Sequence, residues 1–152
     1  MDQIDHKILT CLKDNARQKA SAISDEINLS VSSVIDRIHK METSGIIQGY
    51  TVVLDQKRLG NDVTAVMEVS LEHPNYYDDF VKMVQENKNI VSCYYLTGDY
   101  DFILKILTHS SDSLEQIHRQ IKSIQGVSAT HTHFVLKTVK SDIAAIPDPE
   151  QV

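Results

Sequence analysis

The stretch Ala20–His39, ASAISDEINLSVSSVIDRIH, restricts the fold of this chain more than any other. Ile23 and Ile27 stand four residues apart and share one face of a helix. Asn28-Leu29-Ser30 then breaks the period. A helix that stops there needs a residue tolerant of the left-handed conformation, and asparagine is second only to glycine in that role. Ser30 is a good N-cap for a second helix, in which Val34, Ile38 and Met41 point inward. Ser32, Ser33, Asp36, Arg37, His39 and Lys40 are left facing outward. Two short helices around a tight turn form a helix-turn-helix. Small hydroxyls at the start of its second helix, with an Arg one turn later, suit entry into the major groove of DNA. A helical hairpin that only packs would carry much of the same pattern, so the spacing alone leaves both readings open.

The rest of the N-terminal segment supports this organisation. Asp2 is placed to cap a first helix, with Ile4, Ile8, Cys11 and Leu12 as its buried stripe and Asp5 near its positive end. Asp14-Asn15 closes it. Gly45 ends the third helix, and Ile46–Leu54 reads as extended, a strand or small hairpin. Three helices and a strand make a winged helix-turn-helix over residues 1–54. Residues 55–62, DQKRLGND, are polar and turn-rich and are expected to be a linker.

From Val63 the period changes. Val63, Ala65, Met67, Val69 and Leu71 alternate with Thr64, Val66, Glu68 and Ser70, as in a half-buried strand. Pro74–Glu86 reads as a helix with Tyr77, Phe80, Val81 and Val84 inward. Strands follow at Ile90–Thr97 and Phe102–Thr108 around the turn Gly98–Asp101. Asp112 and Glu115 give a capping-box pattern for a helix that keeps Leu114, Ile117, Ile121 and Ile124 on one face. Val127–Val139 reads as a last strand. The order βαββαβ is the ferredoxin-like split βαβ, so the fold class is α+β, with this domain at residues 63–140. Both helices cover one face of such a sheet. A second copy is the simplest cover for the other, which predicts a homodimer. The tail, 141–152, contains Ile143, Ile146, Pro147 and Pro149 and is expected to be partly ordered at most.

Charge narrows the function. The net charge of −6 argues against DNA if taken whole. Residues 1–60, however, hold eight acidic and eight basic side chains, against thirteen and seven in residues 61–152. The neutral half is able to approach phosphate with Arg37, Lys40, Lys57 and Arg58 leading. No run approaches membrane-spanning length, and the start MDQIDHKILT is too charged for a signal peptide, so a cytoplasmic protein with no membrane partner is expected. Cys11 and Cys93 lie within apolar patterns and read as reduced core residues.

Two places offer chemistry in the second half. In the turn Gly98-Asp99-Tyr100-Asp101, glycine admits a ligand close to the backbone. Two carboxylates there could receive an ammonium group, and turn N–H groups a carboxylate, which together describe an amino acid. A plain hairpin turn would use the same residues. His131 and His133 project to one face of a strand and could chelate a metal, with Asp99 or His109 as third ligand, although exposed strand histidines explain them as well. No metal site and no cofactor is assigned. GxSxG, HExxH, P-loop and GxGxxG patterns are all absent, and no active site is found.

The segments MDQIDHKILTCLKDNAR, LSVSSVIDRIHKMETSGIIQGY, LDQKRLG and LTGDYDFILKI, in this order over Met1–Lys137, resemble the Lrp/AsnC family of feast/famine transcription regulators. That resemblance implies a DNA-binding regulator with a ferredoxin-like (RAM-type) effector domain. It makes Ser32, Ser33, Arg37 and Lys40 candidates for DNA contact. Gly98, Asp99, Tyr100 and Asp101, with Thr130 and Thr132 on the last strand, become candidates for effector binding. The partners implied are double-stranded promoter DNA with a pseudo-palindromic site, a small effector of the amino-acid class, and further copies of the chain, as dimers assembling to octamers. Ser24 and Asn28 stand where the family pattern usually has Ala and Gly, and His131 and His133 are not expected in its last strand. A metal- or ligand-binding oligomer without DNA binding remains the alternative. An enzyme on the ferredoxin-like domain is the more distant one.

Overall fold

The computed structural model describes residues 1–147, which fall into two compact units. The first is Met1–Val53 together with the described part of the tail, and the second is Leu54–Val139. Pro149, named above with the tail, lies outside the described residues.

The first unit is built from α1 (Gln3–Asp14), α2 (Ala20–Ile27) and α3 (Val31–Thr43). Asp2 caps α1 with a full capping box: its carboxylate accepts from the amides of Ile4 and Asp5, and the Asp5 carboxylate accepts from the Asp2 amide. Asn28 takes the left-handed conformation at φ 56°, the only non-glycine residue with positive φ among those described. Ser30 caps α3 by accepting from the Ser33 amide. Ile8, Cys11, Ile23, Val34 and Met41 form the core, with Ile4, Leu12, Ile27, Leu29 and Ile38 packed around it. Burial raises the pKa of the Cys11 thiol, with the Glu26 carboxylate adding to the effect, and both cysteines are free.

The strand expected at residues 46–54 is not formed. Gly45 does end α3, at φ 77°, and the Ile47 amide donates to the Met41 carbonyl. Beyond that, Tyr50 is held by a hydrogen bond from its hydroxyl to Glu42 (2.8 Å). Val52, Val53 and Leu54 stand 70, 87 and 53% exposed. Their β-branched sequence favours extended backbone, but a ladder needs a neighbouring strand, and none of the described residues supplies one.

The second unit is βαββαβ: β1 (Val63–Leu71), α4 (Tyr77–Glu86), β2 (Ile90–Tyr95), β3 (Phe102–Thr108), α5 (Ser111–Lys122) and β4 (Val127–Phe134). The sheet order is β2-β3-β1-β4 and every pairing is antiparallel, so each βαβ crossover passes over one intervening strand. Ala65, Met67, Val69, Phe102, Leu104 and Ile106 face the helices and meet Phe80, Val84, Leu114, Ile117 and Ile121. Thr64, Val66, Glu68, Ile103, Lys105, Leu107, His131 and His133 take the opposite face by register.

Four local expectations change. Pro74–Tyr76 is a 3₁₀ turn ahead of α4 rather than its first turn, with the His73 ring accepting from the Asn75 amide. Tyr77 lies at the surface, where its ring packs on Tyr95 and Phe102. Ser110, not Asp112, caps α5; Asp112 sits in the first turn, and Glu115 pairs with Arg119 one turn on. The last strand stops at Phe134 instead of Val139: the Val135 amide still donates to the Thr64 carbonyl (2.9 Å), but β1 begins at Val63, opposite Leu136, and leaves nothing to pair with residues 137–139. Gly126 turns the chain from α5 into β4 at φ 88°, and a side chain there would collide with the Tyr76 ring.

Candidate DNA interface and effector turn

The outward row of α3 is set by its helical period. With Val34 and Met41 buried, Val31, Ser32, Ile35, Asp36, His39 and Lys40 are exposed. Val31 and Ile35 are 41 and 52% exposed, apolar side chains in the middle of a polar row. The sequence reading missed both, although Ile35 falls outside the i, i+4, i+7 set that marks the inward face. No acidic residue occupies the first turn of α3, so the positive end of the helix dipole is unopposed there.

The four candidate DNA residues separate into two pairs. Ser32 and Lys40 are exposed. Ser33 is half-buried, and its hydroxyl shares a 2.7 Å hydrogen bond with the Ser30 cap. Arg37 is turned back on the fold: its Nη1 donates to Asp2 Oδ2 and Asp5 Oδ1, both at 2.7 Å. One guanidinium thereby ties the start of α1 to the middle of α3 and closes the capping box from outside. The Asp5 amide, followed by the Arg37 guanidinium, holds the Asp2 carboxyl below its usual 3.8. A depressed carboxylate pKa stabilises the fold above the ordinary value, and that contribution is lost as pH falls through the lowered one. Asp2→Asn keeps a capping oxygen but removes the charge. It is expected to lower the melting temperature by a few degrees at pH 7. The gap to wild type should narrow as pH falls below the ordinary carboxylate range and through the lowered pKa of Asp2.

The turn between β2 and β3 is laced to β1. The Asp101 amide donates to the Val69 carbonyl (3.0 Å), the Leu96 amide to the Asp101 carbonyl (2.7 Å), and the Leu71 amide to Asp101 Oδ2 (2.7 Å). Gly98 sits at φ 136°, a conformation other residues rarely adopt. Of the two carboxylates in the turn, Asp101 is committed to the backbone of β1 and Asp99 is exposed. Tyr100 leans towards β4, its hydroxyl 3.5 Å from His131 Nδ1. Beside the turn, a cavity of about 70 Å³ is lined by Leu71, His73, Tyr77, Tyr95 and Asp101, among others. That is room for a few waters rather than for a whole amino acid. Thr130 and Thr132 are not grouped with the turn's Tyr100. They alternate with His131 and His133 and so face the helix side, where Thr130 Oγ1 lies 3.2 Å from His118 Nε2 and Thr132 Oγ1 is buried without a partner.

Comparison with known proteins gives concordant results. Residues 64–145 match the family model of the Lrp/AsnC ligand binding domain, and residues 1–48 match that of a winged helix-turn-helix DNA-binding domain. The HTH-type transcriptional regulator FL11 of Pyrococcus horikoshii is 35% identical over 92% of this chain and 92% of its own. Among solved structures, the transcriptional regulator NMB0573 of Neisseria meningitidis, in complex with L-Met, superposes with a TM-score of 0.91 at 26% identity, covering 95% of this chain and 96% of that one. AsnC of E. coli gives 0.88 at 26% identity, covering 97 and 99%.

Proposed function

The chain belongs to the Lrp/AsnC family of DNA-binding transcription regulators, and from that premise we propose that it reads a pseudo-palindromic promoter site through α3 and is switched by an amino acid at the Gly98–Asp101 turn. The observation that carries this reading is the division of α3 into a buried row and an exposed row of mixed apolar, hydroxyl and basic side chains. Ser32 and Lys40 contact the duplex, with Ile35 and Val31 against thymine methyl groups and Lys40 on a phosphate. Ser33 and Arg37 act at one remove: Ser33 completes the cap of α3, and Arg37 fixes the helix against α1. In this reading residues 1–54 are the reader, 55–62 the linker, 63–140 the effector and assembly domain, and 141–152 the tail.

The open sheet face pairs with that of a second copy, and dimers assemble further, to an octamer. Two readers per dimer set half-sites about one helical turn apart, and linkage raises the effective concentration of each weakly charged reader. The effector enters at the seam between dimers, which completes a cavity too small in a single chain. Thr130 and Thr132 act from behind β4, on its position. An effector there works only through its preference for one assembly state. NMB0573 was solved with L-Met, which supports an amino acid as the effector class. The protein acts in the cytoplasm and catalyses no reaction.

Fluorescence anisotropy of labelled DNA from upstream of the chain's own gene tests the reading, at low and moderate salt, with and without a mixed amino-acid pool. Binding is expected to weaken steeply with salt. Lys40→Ala should lose about threefold to tenfold in affinity and flatten the salt slope by about one. Folded protein that binds no DNA at low salt would leave the ligand-binding oligomer as the function.

A further inference from the structure

We propose that Glu68, His131 and His133 form a binding site for a divalent transition-metal ion on the open face of the sheet. This inference does not rest on DNA binding. The β1–β4 register sets Glu68 opposite His131 and Val66 opposite His133, which brings the three side chains to one patch. His133 Nε2 lies 3.3 Å from Glu68 Oε2. The imidazole rings stack with centroids 4.5 Å apart and planes 13° from parallel. One ligand atom from each of the three lies within 4.8 Å of the others. Ligand atoms bound to one zinc ion at about 2.0–2.2 Å stand about 3–4 Å apart, so small side-chain rotations close the set. The third donor is Glu68, across the ladder, rather than Asp99 or His109.

The donor chemistry selects the ion. Two neutral imidazoles and a carboxylate suit zinc, cobalt, nickel or copper, and are a poor set for calcium or magnesium. Three protein ligands leave a position open, and in the dimer proposed above this face lies against the second copy, so the fourth ligand there is a water or a group of that copy. Tyr100 supplies an outer contact. With the proton on Nδ1, His131 would donate to the Tyr100 hydroxyl 3.5 Å away and leave Nε2 for the ion. The site therefore touches the Gly98–Asp101 turn through one side chain. Without an ion, Glu68 and His133 would form an ordinary surface ion pair, a role that does not require His131 to stack beside them.

The full chain, stripped with EDTA and dialysed, would be titrated with Zn²⁺ by calorimetry and with Co²⁺ by visible absorption. One ion per chain, bound at micromolar or tighter Kd, is expected. His131→Ala, His133→Ala and Glu68→Gln should each weaken it at least about tenfold, and the double histidine variant about a hundredfold or more. Circular dichroism checks the fold of each variant, and His109→Ala should bind as wild type does. Tyr100→Phe should shift Zn²⁺ affinity by less than a ligand loss and change the Co²⁺ spectrum. Absence of binding tighter than millimolar, or binding that survives in the double histidine variant, would overturn the site.

Discussion

Ile35→Glu is expected to weaken DNA binding at least about a hundredfold at moderate salt while leaving the melting temperature within about a degree of wild type. The side chain is 52% exposed in the centre of the outward row of α3, with Ser32 one turn before it and His39 one turn after. It contributes little to the core, so its replacement costs the fold little. At the DNA surface the substitution removes an apolar contact and places a carboxylate among phosphates. Each phosphate within reach repels it by about 1 kcal/mol even in water, and desolvating the carboxylate adds to the penalty. In a dimer the loss is taken twice. Ile35→Ala, which removes only the apolar contact, should cost about tenfold. Anisotropy with the same labelled duplex measures both. Unchanged binding by Ile35→Glu would mean that the exposed row of α3 is not the reader.

The largest effect on stability is expected at Phe80. Its ring is fully buried and lies 4.6 Å from the ring of Phe102, at the meeting of α4 with the sheet. Phe80→Ala removes most of a buried aromatic side chain and leaves a cavity, a change that costs about 3–5 kcal/mol. Against a domain stability of about 5–15 kcal/mol, much of the second unit's margin would be lost. The core of the first unit shares no residue with that of the second. Calorimetry should therefore show one transition falling by ten degrees or more and another nearly unmoved. Hydrogen exchange in α1–α3 should stay close to wild type. A single transition shifted as a whole would show that the two units melt together.

Much of this architecture was legible in the sequence, because the signals were local. Asn28 and Ser30 mark a turn by their own conformational preferences, and the alternation through Val63–Leu71 fixes which face of β1 is buried. The misread segments are those whose structure depends on a neighbour. Residues 46–54 have strand composition but no strand beside them among the described residues, and residues 137–139 outrun the strand they would pair with. The site was partly legible for the same reason. Helical period shows that Arg37 can face outward, but not that Asp2 and Asp5, more than thirty residues earlier, hold it. The spacing of His131 and His133 shows a shared face, whereas Glu68 joins them only through the ladder between β1 and β4.

The strict division of α3 bears on how such a protein changes its target. Val34 and Met41 hold the helix in the core, and Arg37 holds it to α1. Val31, Ser32, Ile35, Asp36, His39 and Lys40 are bound by neither duty. Substitutions there alter what the helix meets in a groove at a cost to folding within about 0.5 kcal/mol. A duplicated gene could thus wander through a series of operator preferences, each step encoding a folded protein. The same six positions are where a library for redirecting the protein to a chosen promoter should be randomised.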